Sequence, residues 1–201
     1  MVLTKIFPLF SGYQFITFIS YKVFYWKMVM HSKNNGFEHC VANYAGGLEL
    51  RIAAITDAGK TREGNEDNFA VVVSDYNAEN SKALIVVADG MGGYEYGEVA
   101  SEIVVDTYRT QFMRGGFSLL AAAREADREI QTRNRKLKTR MGSTVVALHL
   151  HDRSATFHHA GDSRLYIYAN GELEQLTEDH SVVQSLVKAG QITPKEARTK
   201  L

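Results

Sequence analysis

The chain has 201 residues, 45% hydrophobic and 23% charged, enough for one domain with a sizeable core. Lys plus Arg and Asp plus Glu stand at 23 each, which leaves no net-charge argument for binding nucleic acid. A single cysteine, Cys40, excludes an internal disulfide framework, fits a reducing compartment and, with no paired His or Cys nearby, reads as a passive thiol.

Residues 1–30 differ from everything after them. Ile6 to Trp26 is apolar and aromatic, long enough to consider as a membrane span, with Lys5, Lys22 and Lys27 near its ends. Pro8, Gly12, Gln14 and Lys22 interrupt it, and no Ala-x-Ala-like cleavage site follows. It reads as a signal anchor, an amphipathic interfacial segment, or an extension upstream of the true start, with Met28 and Met30 as later starts; the last reading is favoured. His31 to Gly47 is polar and contains Gly and Asn, as a linker does; His31 and His39 lack a compact metal-ligand spacing. The expected division is therefore a hydrophobic segment and linker at 1–47 and a domain at 48–201.

From Leu48 the pattern becomes regular. Leu50, Ile52, Ala54 and Thr56 alternate as in a strand, a polar loop runs from Asp57 to Asn68, and Phe69 to Val73 is a short apolar strand. Asp75 to Lys82 reads as a hairpin connection. Ala83 to Ala88 is a continuous apolar run that reads as a buried strand, ending in Asp89 and the glycines 90, 92 and 93. Helical spacing marks Glu98 to Phe112, with Arg114-Gly-Gly-Phe117 as its break. Ser118 is an N-cap for a second helix to Lys138, whose buried stripe is expected at Leu120, Ala123, Ala126, Ile130 and Leu137. Its Arg/Lys-rich end reads as a solvated face favoured by the helix dipole. Strands follow at Thr144 to Leu150, Ala155 to Ala160 and Leu165 to Tyr168, with a turn at Ala169-Asn-Gly171 and a return strand at Leu173 to Leu176. At least one of His158 and His159 should face the core. Val182 to Ala189 is a short helix, and Pro194 opens another.

The chemistry gathers around Asp89. Gly90, Gly92 and Gly93 leave room for backbone carbonyls to approach a cation, and Mg²⁺ takes carboxylate, carbonyl and water oxygens. Glu66 and Asp67 stand at a strand start and Asp89 at a strand end, so antiparallel pairing would bring three carboxylates around one point, near Arg62. Carboxylates so crowded repel unless cations lie between them, while a fixed guanidinium suits phosphate. Ser143 and Thr144 lack recognisable triad partners and read as a strand start beside the site.

Five motifs occur in one order: D-x-G-x-x-R-x-x-N-E-D from Asp57 to Asp67, V-V-A-D-G-M-G-G from Val86 to Gly93, M-G-S-T from Met141, G-D-S-R from Gly161 and L-T-x-D-H-S from Leu176. Together they resemble the bacterial form of the metal-dependent type 2C serine/threonine protein phosphatases, over about residues 50–198. The resemblance implies an α+β fold, two packed antiparallel sheets flanked by helices in an α-β-β-α sandwich, incomplete at the C-terminus and ending in a flap-like segment. It implies a two-metal site for Mg²⁺ or Mn²⁺. Asp89 would bridge both metals, Glu66 and the Gly90 carbonyl would complete one, Asp67 would hold metal-bound water, Arg62 would bind the substrate phosphate, and Asp162 would lie near a third, weaker metal. Met91 stands where some relatives carry a histidine proposed as general acid. The two later aspartates of the family pattern are absent from this sequence.

The implied reaction is hydrolysis of phosphoserine and phosphothreonine in proteins by a metal-activated water, without a covalent enzyme intermediate. Phosphorylated proteins and their Ser/Thr kinases are the expected partners, with membrane contact only through residues 1–30 and a monomeric state. The cytoplasm is the expected location, with membrane anchoring by the N-terminal segment as the alternative. The competing function is a catalytically impaired phosphatase-like module, or gene remnant, that binds phosphoprotein or a partner. A nucleotide-binding reading is disfavoured, because no Gly-Lys-Ser/Thr and no G-x-G-x-x-G opening a helix is present.

Overall fold

The computed structural model describes residues 3–8, 15–19, 24–25, 30–31, 36–44, 48–58, 64–74, 82–92, 96–151 and 154–197. Five strands precede residue 48: β1 (Leu3–Pro8), β2 (Phe15–Ile19), β3 (Phe24–Tyr25), β4 (Met30–His31) and β5 (Gly36–Tyr44). Then come β6 (Leu48–Thr56), β7 (Asp67–Ser74), β8 (Lys82–Met91), α1 (Tyr96–Arg114) and α2 (Leu119–Leu137). β9 (Gly142–Ser143), β10 (Val145–His151), β11 (Ser154–Ala160), β12 (Arg164–Ala169) and β13 (Glu172–Gln175) follow, then α3 (Val182–Lys188) and α4 (Pro194–Ala197).

The central sheet runs β1-β11-β10-β8-β7-β4, all antiparallel, with β9 continuing along β8. Alternation along its strands divides the core in two. Phe69, Val71, Ile85, Val87, Val146, Leu148 and Phe157 face Ile52 and Ala54 of β6 and Leu165 of β12. Ala70, Val72, Leu84, Val86 and Ala147 face Val105, Tyr108 and Phe112 of α1 and Ala122, Ala126 and Ile130 of α2. The expected packing of β layers with helices is therefore observed. The second layer consists of two three-stranded sheets, β13-β12-β2 and β3-β6-β5, rather than one, because their strands do not pair with each other among the described residues. Helices cover one face of the central sheet, while α3 and α4 have no buried residues.

Two expectations for the N-terminal part differ from the structure. The His31–Gly47 stretch contains β5, paired with β6 from Gly36↔Thr56 to Tyr44↔Leu48, where a linker was expected. Its backbone pairs along the whole length of β6. The boundary at residue 47 is likewise crossed by pairing: β1 lies on the edge of β11, β2 on β12 and β4 on β7. Open strand edges recruit whatever extended backbone is at hand. Among the described residues no helix is long and apolar enough to cross a membrane.

The buried stripe of α2 includes the expected Ala126 and Ile130, but Leu119 and Ala122 are buried in place of Leu120 and Ala123, and Leu120 and Leu137 are exposed. Ser118 caps the helix as expected, its hydroxyl accepting from Ala121 N–H at 3.4 Å. At the other end Lys138 adopts a left-handed conformation, and the Asn134 side chain holds Met141 by both N–H and carbonyl at 2.8 Å. This clamp sets where β9 starts, beside β8.

Candidate active site

Three strand ends meet at one edge of the central sheet. The β7–β8 register places Asp67 directly opposite Asp89. One step further the Gly90 N–H donates to the Glu66 carbonyl at 3.1 Å. Positions 66 and 90 therefore form a hydrogen-bonded pair, and Asp67 and Asp89 the adjacent non-hydrogen-bonded pair, in which side chains stand closer. Both aspartates are half-buried and share the face that looks toward β6. Asn65 fixes the approach: its carbonyl oxygen accepts from Asp67 N–H at 3.2 Å, and its amide donates to the buried Thr56 hydroxyl at 2.6 Å.

The other side of β8 holds Asp89 by its main chain. The Asp89 N–H donates to the Thr144 hydroxyl at 3.0 Å, and the Asp89 carbonyl accepts from Thr144 N–H at 2.9 Å and from the Ser143 hydroxyl at 3.1 Å. Ser143 and Thr144 are thus strand-start residues bonded to the site, as the sequence suggests. Neither the Thr144–Ser163 contact nor Asn65 was singled out from sequence; both lie inside the quoted motifs, which was the available signal. Asp162 is exposed, in the turn between Gly161 and Ser163.

Glu66 faces the helices instead. A Cβ on Gly97, at the start of α1, would lie 2.3 Å from Glu66 Oε1, and one on Gly90 would lie 1.9 Å from the Gly97 carbonyl oxygen. The Ser101 hydroxyl donates to the Glu66 carbonyl at 2.6 Å. The first turn of α1 is therefore packed onto the strand end with no room for side chains at either glycine. All three carboxylates stand at this strand end, with Glu66 on the helix side and Asp67 and Asp89 on the other, as alternation dictates. Among the described residues no three carboxylate, histidine or thiol side chains converge to hold a metal. Arg62 and Gly93 lie outside the described residues. Met91 is 57% exposed, its side chain alongside Gly142.

Two carboxylates facing each other across a strand pair repel, and a cation between them relieves that repulsion. Their oxygens are the donors that Mg²⁺ and Mn²⁺ prefer. Asp67 and Asp89 thus fit one side of a divalent-cation site, whose remaining oxygens come from outside this pair.

Behind the site, Leu176 to Ser181 is clasped to β11 and β12. Arg164 grips Asp179 with two hydrogen bonds, at 2.8 and 2.5 Å, which raises the guanidinium pKa. The His180 N–H donates to the Gly161 carbonyl at 2.9 Å, and His180 Nδ1 accepts from Gly161 N–H at 3.2 Å. Burial, followed by the charge of His159, lowers the His180 pKa. His158 and His159 are both fully buried, His158 bonded to the Tyr108 hydroxyl.

The profile of the family described as Protein phosphatase 2C matches residues 54–186. Protein phosphatase PhpP of Streptococcus pneumoniae is 34% identical over 157 residues, covering 74% of this chain and 62% of that protein. The serine/threonine phosphatase PstP/Ppp of Mycobacterium tuberculosis superposes with a TM-score of 0.60 at 36% identity, over 72% of this chain and 60% of that one. The catalytic domain of PstP in complex with two manganese ions gives 0.59 at 36% identity, over 71% and 61%. The chain spans about three-fifths of the length of these relatives.

Proposed function

The chain belongs to the protein phosphatase 2C family, and on that footing we propose that it removes phosphate from phosphoserine and phosphothreonine in proteins. The observation that carries this reading is Asp67 opposite Asp89 at a strand end, tied to Thr56 through Asn65 and to Thr144 through the main chain. Asp89 and Asp67 would hold Mg²⁺ or Mn²⁺, with Glu66, the Gly90 carbonyl and Asp162 as further oxygens at the same end of the sheet. The two manganese ions of the PstP complex support that choice of metal. Bound divalent cations supply a nucleophilic water at neutral pH and charge stabilisation on phosphoryl oxygens. Arg62 would orient the phosphate by bidentate hydrogen bonds. The Met91 thioether has no proton to donate, so it does not protonate the leaving hydroxyl. Phosphorylated proteins are the substrates this reading names, and Ser/Thr kinases the enzymes that supply them.

A second reading, an impaired module that binds phosphoprotein without turnover, is kept for one observation: no three metal-binding side chains converge among the described residues. Hydrolysis of a phosphothreonine peptide with Mn²⁺, comparing the chain with Asp89→Asn, separates the two. Turnover lost on substitution supports the phosphatase. Mn²⁺-dependent peptide binding without turnover supports the module.

A further inference from the structure

Three motifs have no assigned chemistry of their own: Met141 to Thr144, the Gly161-Asp-Ser-Arg164 turn apart from Asp162, and Leu176 to Ser181. The structure joins the first two through one buried contact and the third through His180. The hydroxyls of Thr144 and Ser163 lie 2.6 Å apart, on residues only 5% and 6% exposed. The same Thr144 oxygen accepts the Asp89 N–H at 3.0 Å. A hydroxyl has one proton and two lone pairs, so it serves both partners at once. The turn fits closely: Gly161 has φ +102°, and a Cβ there would lie 2.6 Å from Thr144 Cγ2. Its far side is held by His180, which bonds both the N–H and the carbonyl of Gly161.

We infer that the Thr144–Ser163 hydroxyl pair is a positioning relay that keeps Asp89 in register with the Gly161–Ser163 turn and so sets where Asp162 stands relative to Asp89. Neither hydroxyl touches substrate. Each sits beside a carboxylate-bearing position: Thr144 is bonded across the strands to Asp89, and Ser163 follows Asp162 in the chain. An apolar pair of similar shape would fill the same space but would leave the Asp89 N–H without its acceptor. The hydroxyls therefore fix the separation of a carboxylate at the end of β8 from one in the β11–β12 turn, as partners beyond the ligands do in metal sites.

The consequence for cation binding rests on the metal reading proposed above, whereas the relay itself rests on the hydrogen bonds. The full chain carries both tests. Metal-free amide exchange by NMR reads Asp89 directly, and paramagnetic resonance of free Mn²⁺ reads cation affinity. Ser163→Ala is expected to speed exchange at Asp89 by about five- to tenfold and to weaken Mn²⁺ binding by about tenfold or more. Thr144→Ser, which keeps the hydroxyl, retains both values. Thr144→Val repeats the test from the other partner. Unchanged Asp89 exchange and unchanged Mn²⁺ affinity in folded Ser163→Ala and Thr144→Val overturn the relay. Mn²⁺ binding that ignores Asp89→Asn overturns the metal reading instead, and the exchange measurement still decides the relay.

Discussion

Replacing Asp67 by Asn is expected to move stability in opposite directions with and without Mn²⁺. Asp67 and Asp89 are direct partners on one face of an antiparallel pair, and both are half-buried. At a separation of roughly 5 Å and an effective dielectric of about 20, two unit charges repel by about 3 kcal/mol. Cross-strand pairs open to water reach only about 0.2–1 kcal/mol. A gain near 1 kcal/mol on removing one charge is therefore expected, or about 2–4 °C in melting temperature for a chain of this size. With a cation present the sign inverts. Saturation at about 100 times the Kd stabilises the parent by about 2.7 kcal/mol. A tenfold loss of affinity in Asp67→Asn removes about 1.4 kcal/mol of that. Thermal unfolding followed by circular dichroism, first in EDTA and then in Mn²⁺, reads both states. The variant should melt above the parent in EDTA and gain less from Mn²⁺. A lower melting temperature in EDTA, or equal Mn²⁺ increments, refutes the reasoning that these carboxylates are crowded around a cation position.

Gly90→Ala should cost about 3 kcal/mol or more by overpacking, because its Cβ would lie 1.9 Å from the Gly97 carbonyl; a parental urea midpoint would contradict the packing of α1 on this strand. Burial, then the neighbouring His159, pushes the His158 pKa from 6.5 down to about 4. The unfolded chain therefore takes up a proton that the folded one refuses, so stability falls as pH drops from about 6.5 towards 4, by up to about 3 kcal/mol, and levels off below. Urea unfolding across that window checks it, and a flat profile counts against a buried neutral His158. Tyr108→Phe removes the hydroxyl bonded to His158 Nε2, and the ring's Nδ1 already has no hydrogen-bond partner. The loss should be about 1–3 kcal/mol; an unchanged urea midpoint would show that the bond contributes nothing.

The strands of the domain were legible because their alternation and turn residues act locally. Phe69 to Val73 and Ala83 to Ala88 are fully apolar and could only be buried, and Ala169-Asn-Gly171 could only be a turn. The meeting of Asp67 with Asp89 was legible for the same reason: it follows from antiparallel pairing of two recognisable strands. The strand end shared by Glu66 and Asp67 is legible too, and alternation puts the two on opposite faces of it. Ala126 and Ile130 of the α2 stripe are legible from spacing, but its start is not, because Leu119 and Leu120 are adjacent and either can begin an apolar stripe; Phe117 and α1 decide which one packs. Four of the five early strands pair with partners distant in sequence, β1 with β11, β2 with β12, β3 with β6 and β4 with β7, so no local pattern announces them, whereas β5 forms a hairpin with the adjacent β6.

The sheet is polarised along its strands, and that polarity bears alike on the phosphatase and the binding-module readings. Glu66, Asp67 and Asp89 lie at one end of the β7–β8 pair. Lys82, opposite His151, lies at the other end, where burial, then His151 and Lys82, hold the His149 pKa down at about 4. Seven residue steps along the strand separate Asp89 from Lys82, about 23 Å, more than two Debye lengths at physiological salt. The cationic end therefore offers no help to an anion bound near Asp89. A phosphate approaching Asp67 and Asp89 is repelled by both unless a cation has entered first. Phosphopeptide affinity at this edge should accordingly vanish in EDTA for either reading, even with Arg62 in the chain. Peptide binding that persists without divalent metal would place the phosphate away from the Asp67–Asp89 pair and sink both readings of the site together.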